Sequence, residues 1–142
     1  MNPDRLSLPE AEVEIQVPFH DVDVMEVTWH GHYVKYFEIA RTALLEKIGY
    51  NYREMRASGY AWPVIELKMR HARPARLGQK LAVRARLVEY ERRLKIDYLV
   101  AAQASGARLT RGHTVQVAVD MSTEEMLPTS PKILHDKLEA LQ

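Results

Sequence analysis

Apolar and polar residues alternate from Glu12 to Val17, with Val13, Ile15 and Val17 on one side and Glu12, Glu14 and Gln16 on the other. A period of two predicts a strand buried on one face, and Pro18 closes it. From Phe19 to His32 the pattern has no period. That stretch is crowded with His20, Asp21, Asp23, Glu26, His30 and His32, an odd composition for a mere connection. Between about Gly31 and Ile48 the residues Tyr33, Tyr36, Phe37, Ala40, Leu44 and Ile48 recur at three- and four-residue spacing, which predicts a long helix with one apolar face. Lys35, Glu38, Thr42 and Glu46 fall on another face, and Gly49 stands where a helix-ending glycine belongs.

The rest of the chain reads mainly as strands. A short helical turn near Asn51–Ala57 precedes a strand over Ala61–Ala72, then a turn at PARLGQ. Leu81, Val83, Ala85 and Leu87 alternate with polar or small residues in the next strand, and Leu94, Ile96, Tyr98, Val100 and Ala102 in another. SGAR turns the chain again, and Val115, Val117, Val119 and Met121 predict the last strand. Pro128–Leu141 reads as a C-terminal helix with Ser130 as N-cap and Pro131 at its first position. One long apolar helix beside a run of antiparallel strands must bury its stripe on a sheet face, so an α+β layer is expected. No repeat or linker divides the chain, and residues 1–142 are expected to form a single domain.

Composition narrows the function. With 20 Lys+Arg against 19 Asp+Glu, the net charge of +1 gives no general support for nucleic-acid binding, although arginines crowd between Arg70 and Arg93. The absence of cysteine excludes disulfides, thiolate nucleophiles and Cys-based zinc sites. Neither a signal-peptide core in MNPDRLSLPEAEVEIQ nor a run of about 18 apolar residues is found, so no membrane span and a cytoplasmic location are expected. No G-x-S-x-G elbow occurs either.

The segment VPFHDVDVMEVTWHGHYVKYFEIARTALLEKIGY resembles the signature of hotdog-fold thioesterases of the 4-hydroxybenzoyl-CoA thioesterase class, in particular the bacterial acyl-CoA thioesterase branch. The matching positions are Asp21, Asp23, His30, Tyr33, Tyr36, Phe37, Glu38, Ala40 and Arg41, and HARPARLGQKLAVRARL is similar to the family's Pro- and Gly-containing turn between strands. One departure is that Val24, Met25 and Glu26 follow the second aspartate where the family usually has glycine or alanine.

The resemblance implies an α+β hotdog fold, an antiparallel sheet wrapped around one long central helix. It implies hydrolysis of an acyl thioester, on coenzyme A or acyl carrier protein, in a homodimer or a homotetramer built from two dimers. It requires no cofactor and no metal. Asp23 then matches the catalytic carboxylate, as nucleophile or as general base, and His30 matches the histidine at the helix start. Read without the resemblance, Asp23 is most simply an Asx-turn residue and His30 a cap or loop histidine. The N–H of His30 or Gly31 is a candidate oxyanion donor. Tyr33 reads mainly as core but is also a candidate for lining the substrate channel. Some of Arg70, Arg73 and Arg76 are candidates for coenzyme A phosphates, and no single arginine stands out, with Arg73 taken as the representative substrate-binding position.

Three alternatives bear on the same residues. His20, Asp21, Asp23, His30 and His32 form a metal-capable set, but His30 and His32 would diverge at a helix start. Glu38 and Arg41, spaced i, i+3, most simply make an ion pair at the surface or an interface. A hotdog dehydratase or hydratase, or a non-catalytic acyl-CoA-binding hotdog protein, would also carry much of this pattern.

Overall fold

The computed structural model describes residues 8–141, so the reading of residues 1–7 as part of a segment without a signal-peptide core lies outside them. Strand β1 (Glu10–Gln16) leads through a loaded loop to helix α1 (Tyr33–Ile48) and the short α2 (Tyr52–Ala57). The chain continues as β2 (Tyr60–Ala61), β3 (Val64–His71), β4 (Lys80–Glu89), β5 (Leu94–Ala102), β6 (Arg108–Gln116), β7 (Val119–Asp120) and α3 (Lys132–Glu139). The main sheet has five antiparallel strands in the order β1-β4-β5-β6-β3, and β2 and β7 form a separate ribbon.

This is the expected hotdog arrangement: α1 lies along the inner face of the sheet. The alternation on β4 and β5 puts Leu81, Val83, Ala85 and Leu87 together with Leu94, Ile96, Tyr98 and Val100 on the helix side, all of them buried. From α1, Tyr36, Phe37, Ala40, Leu44 and Leu45 fill the space against them. Each large apolar side chain buried this way stabilises the fold by roughly 1.5–3 kcal/mol. Phe37 stacks flat on Tyr98, with ring centroids 4.4 Å apart. Gly49 ends α1 in the left-handed region at φ 78°, and its N–H bonds back into the last turn.

Three local expectations are corrected. The predicted strand over Ala61–Ala72 is split by Pro63, which has no N–H to give a ladder, into β2 and β3. The last strand of the sheet is Arg108–Gln116, and Val115–Met121 does not run as one strand, since Val119 belongs to β7. On β6 the inward positions, read from the pairing of Val100, Tyr98 and Ile96, are Thr110, Gly112 and Thr114. A Cβ on Gly112 would lie 2.2 Å from the Lys68 carbonyl oxygen and 2.9 Å from Phe37, so the space that a strand pattern would fill with Val or Ile is already taken by the β3 backbone and by the Phe37 ring of the helix. Finally, Pro131 itself is the N-cap of α3, and Ser130 is a buried residue whose N–H bonds the Glu91 carbonyl.

Candidate functional site

The crowded stretch between β1 and α1 folds back on itself as a small hairpin. Val22 pairs with Thr28 and Val27 with Arg76. The Asp23 N–H donates to the Val27 carbonyl at 3.0 Å, and the Trp29 N–H donates to the Asp21 carbonyl at 3.0 Å. At the tip, Asp23 Oδ1 accepts from the Met25 N–H at 2.8 Å and, more weakly, from that of Val27 at 3.5 Å. This is an Asx-turn. Glu26 closes it with φ 60°, a left-handed conformation that favours glycine. The departure at Val24–Glu26 therefore includes a side chain placed where the backbone would accept glycine more readily.

The two aspartates have different surroundings. Asp21 is wholly buried, and its carboxylate accepts from Lys35 Nζ at 2.5 Å and from the Tyr36 hydroxyl at 2.8 Å. His32 Nδ1 and His20 Nε2 stand 3.5 and 3.7 Å from Oδ1, the oxygen that Lys35 bonds. Burial works against its charge, but the bonds from Lys35 and Tyr36 outweigh it and hold the carboxyl below the ordinary aspartate range. The Tyr36 phenol is pushed up by burial and by the adjoining carboxylate. Asp23, in contrast, is exposed and keeps one carboxylate oxygen outside the turn's bonds.

The start of α1 is preceded by a short 3-10 turn, His30–His32. Its cap residue, His32, gives no side-chain hydrogen bond to the helix. The N–H groups of Trp29, His32 and Tyr33 are all bonded. Among the described residues, those of His30 and Gly31 have no partner. Adjacent free N–H groups at a helix start are suited to an anionic oxygen. Gly31 lies under the Trp29 ring, where a Cβ would come within 2.2 Å of the indole.

His30 is exposed, with its ring 4.8 Å from that of Trp29. Among the described residues, no hydrogen bond or ion pair joins its side chain to Asp23. Tyr33 is buried, and its hydroxyl accepts the Ala75 N–H at 3.1 Å, tying the turn after β3 to the helix.

His71 has no functional reading in the sequence, where a lone histidine looks like any strand residue. Its ring packs 4.8 Å from Tyr33 and bonds the Thr110 hydroxyl at 2.9 Å. Burial and the nearby His30 hold its pKa below the ordinary histidine value. Arg73 and Arg76 are exposed in the turn after β3, whereas Arg70 lies on β3 opposite Arg111.

Glu38 and Arg41 do form an ion pair, yet Arg41 is almost completely buried and lies over the Tyr52 ring. Among the described residues no three His, Asp or Glu side chains are placed to hold a metal ion. No helix there is long and apolar enough to cross a membrane.

The family model described as the thioesterase-like superfamily matches residues 17–136. A Synechocystis sp. protein named as an esterase is 27% identical over 132 residues, covering 92% of this chain and 80% of that one. A chloroplastic acyl-acyl carrier protein thioesterase of Arabidopsis thaliana is 37% identical over 76 residues, which are 54% of this chain and 40% of that protein. Among solved structures, the DHNA-CoA thioesterase of Staphylococcus aureus superposes with a TM-score of 0.78 at 25% identity, covering 93% of this chain and 92% of that one.

Proposed function

Because the chain belongs to the thioesterase-like superfamily, we propose that it hydrolyses acyl thioesters to free acid and thiol, with Asp23 as the catalytic carboxylate. The observation that carries this reading is the pairing of an exposed, preoriented Asp23 with two unpartnered N–H groups, of His30 and Gly31, on the same short segment. In the proposed reaction the thioester carbonyl oxygen is held by those N–H groups, which stabilise the charge that develops on it. Asp23 either removes a proton from the attacking water or attacks the carbonyl itself, and the thiolate leaves. If it attacks, water then hydrolyses the mixed anhydride. His30 orients the water or the thioester, Tyr33 supports the site through its bond to Ala75, and Arg73, exposed in the turn after β3, pairs with an anionic carrier.

The carrier is coenzyme A or acyl carrier protein, and a screen of thiol release across short, medium, long and aromatic acyl-CoAs and acyl carrier protein thioesters tests the proposal. Asp23→Asn is expected to lower kcat by at least about 100-fold. Unchanged turnover in that variant would sink the assignment. Label found in the Asp23 carboxylate after single turnover in ¹⁸O-water identifies it as the nucleophile, with water attacking the aspartyl carbonyl of the anhydride, and trapping of the anhydride tests the case in which water attacks the acyl carbonyl.

We further propose that residues 1–142 act as one catalytic domain in the cytoplasm, joined into a homodimer along β3 and, by pairing of dimers, a homotetramer. The support is an edge strand that leaves Ile65 53% and Leu67 43% exposed, and a loop on which Phe19, Val24 and Met25 are 81%, 97% and 74% exposed. Apolar surface of that kind beside an open edge is ordinarily covered.

A further inference from the structure

The outer face of the sheet carries a feature that the hydrolytic reading does not use. A groove of about 470 Å³ runs across β4, β5, β6 and β3, and its walls include Lys68, Arg70, Arg84, Arg86, Arg108 and Arg111. The acid that lines it is Asp97. Among the described residues, none of these six cations makes an ion pair, in a chain whose total charge is only +1.

The strand register makes the crowding specific. One row across the face reads Arg84, Leu99, Arg111, Arg70, and the next reads Arg86, Asp97, His113, Lys68. Arg70 and Arg111 are direct cross-strand partners, and like charges so placed destabilise a sheet. Asp97 in the groove and Glu10 and Glu12 opposite Arg86 and Arg84 lie on the same face, but among the described residues neither Arg70 nor Arg111 has an ion-pair partner, so a ligand that relieves their repulsion is the economical explanation.

A second groove, of about 310 Å³, shares Arg70, Leu99, Arg108 and Arg111 with the first and extends to His71 and Thr110. His71 touches Tyr33, at the start of α1. The cationic surface is therefore continuous with the neighbourhood of the free N–H groups.

We propose that this outer groove binds the phosphorylated nucleotide end of a coenzyme A thioester. Two features favour phosphate over the carboxylates of an acidic protein. Five of the six cations are arginines, whose forked donors match phosphate oxygens, and a dianionic phosphate neutralises both members of the Arg70–Arg111 pair where one carboxylate neutralises half of it. The groove is also of the size that holds a small ligand. The identity of the ligand rests on the thioesterase reading; the presence of a phosphate site does not.

The test titrates adenosine 3′,5′-bisphosphate into the full chain by calorimetry at low ionic strength, using wild type, Arg70→Ser with Arg111→Ser, and a control with the same charge change on α2, Arg53→Ser with Arg56→Ser. Affinity is expected to fall at least tenfold in the groove variant, to stay at the wild-type level in the control, and to weaken with added salt. The groove variant should melt no lower than wild type, because the cross-strand repulsion is gone. If it fails to fold, Arg84→Ser with Arg86→Ser takes its place.

In parallel, thiol release is compared between an acyl-CoA and the same acyl group on N-acetylcysteamine, which has no phosphate. The ratio of the two kcat/KM values is expected to drop at least tenfold in the groove variant. Equal affinity in wild type and variant, or an unchanged ratio, overturns the groove and leaves hydrolysis standing. Bisphosphate binding that depends on the groove, with no thiol released from either substrate, upholds the groove and removes the hydrolytic reading. A loss confined to acyl carrier protein thioesters overturns the nucleotide in favour of an acidic protein surface.

Discussion

Asp21 and Asp23 stand two residues apart, but burial and hydrogen bonding divide their tasks. Asp21 is closed in by Lys35 and Tyr36 and holds the loop against α1; Asp23 is left at the tip with a free oxygen. Because the Asp21 carboxyl lies below its ordinary value in the folded state, its contribution is complete above the unfolded aspartate pKa and is lost as pH falls through the lower folded one. Thermal unfolding between pH 2 and 7 should therefore show a decline in acid that is shallower in Asp21→Asn, which at neutral pH is expected to be less stable by roughly 1–3 kcal/mol. Equal pH profiles for the two proteins would show that this carboxylate does not anchor the loop. Glu26 offers a test in the opposite direction. Its φ of 60° costs about 1–2 kcal/mol in a residue with a Cβ, so Glu26→Gly should raise stability by roughly 0.5 kcal/mol after the added chain entropy of glycine. A lower melting temperature would mean that the glutamate side chain itself supports the loop.

At the scale of elements, β6 and α1 fit because the strand gives way to the helix. Gly112 lets Phe37 stack on Tyr98 beneath the sheet, and Gly112→Ala is expected to cost at least about 2 kcal/mol, through the clash with the Lys68 carbonyl and a shift of β3. Chemical denaturation would measure it, and a loss below 0.5 kcal/mol would show that the β3–β6 contact can slide. The same contact explains what could be read in advance. Helix α1 and strands β4 and β5 bury regular apolar faces, so their periods announce them. Strand β6 faces the helix with Thr110, Gly112 and Thr114, which carry no apolar alternation, so the sequence pattern points instead to Val115–Met121. At the site, the helix start and the loaded loop were visible as residues, but the depth of Asp21 was not, since an aspartate's burial depends on Lys35 and Tyr36 arriving from the helix. His71 has no signal in the sequence because its neighbours, Thr110 and Tyr33, are distant along the chain and meet it only through the fold.

At the scale of the whole molecule, one edge of the sheet is β1 and the other is β3, and they are unlike. The outward side chains of β1 are Glu10, Glu12 and Glu14, of which Glu10 and Glu12 stand opposite Arg86 and Arg84 of β4. Their charges discourage another strand from adding there. Strand β3 also carries exposed charges, Glu66, Lys68 and Arg70, but its apolar Val64, Ile65 and Leu67 are exposed as well, whereas Val13 and Ile15 of β1 are half-buried. A second copy of the chain pairing antiparallel at the β3 edge would extend the sheet and cover the apolar residues of β3. The proposed dimer thus follows from an asymmetry of the edges. Placing a charge at Ile65, as Ile65→Lys, leaves the monomer's own core untouched, because the residue is 53% exposed, but opposes burial against a second copy. Light scattering is expected to show a multiple of the 16.4 kDa chain for wild type and a shift toward the single chain for the variant, with thiol release falling in step if the exposed loop of Phe19, Val24 and Met25 is completed by the partner. A wild-type protein that is monomeric at working concentrations would refute the pairing, and full activity in that monomer would place the whole site within one chain.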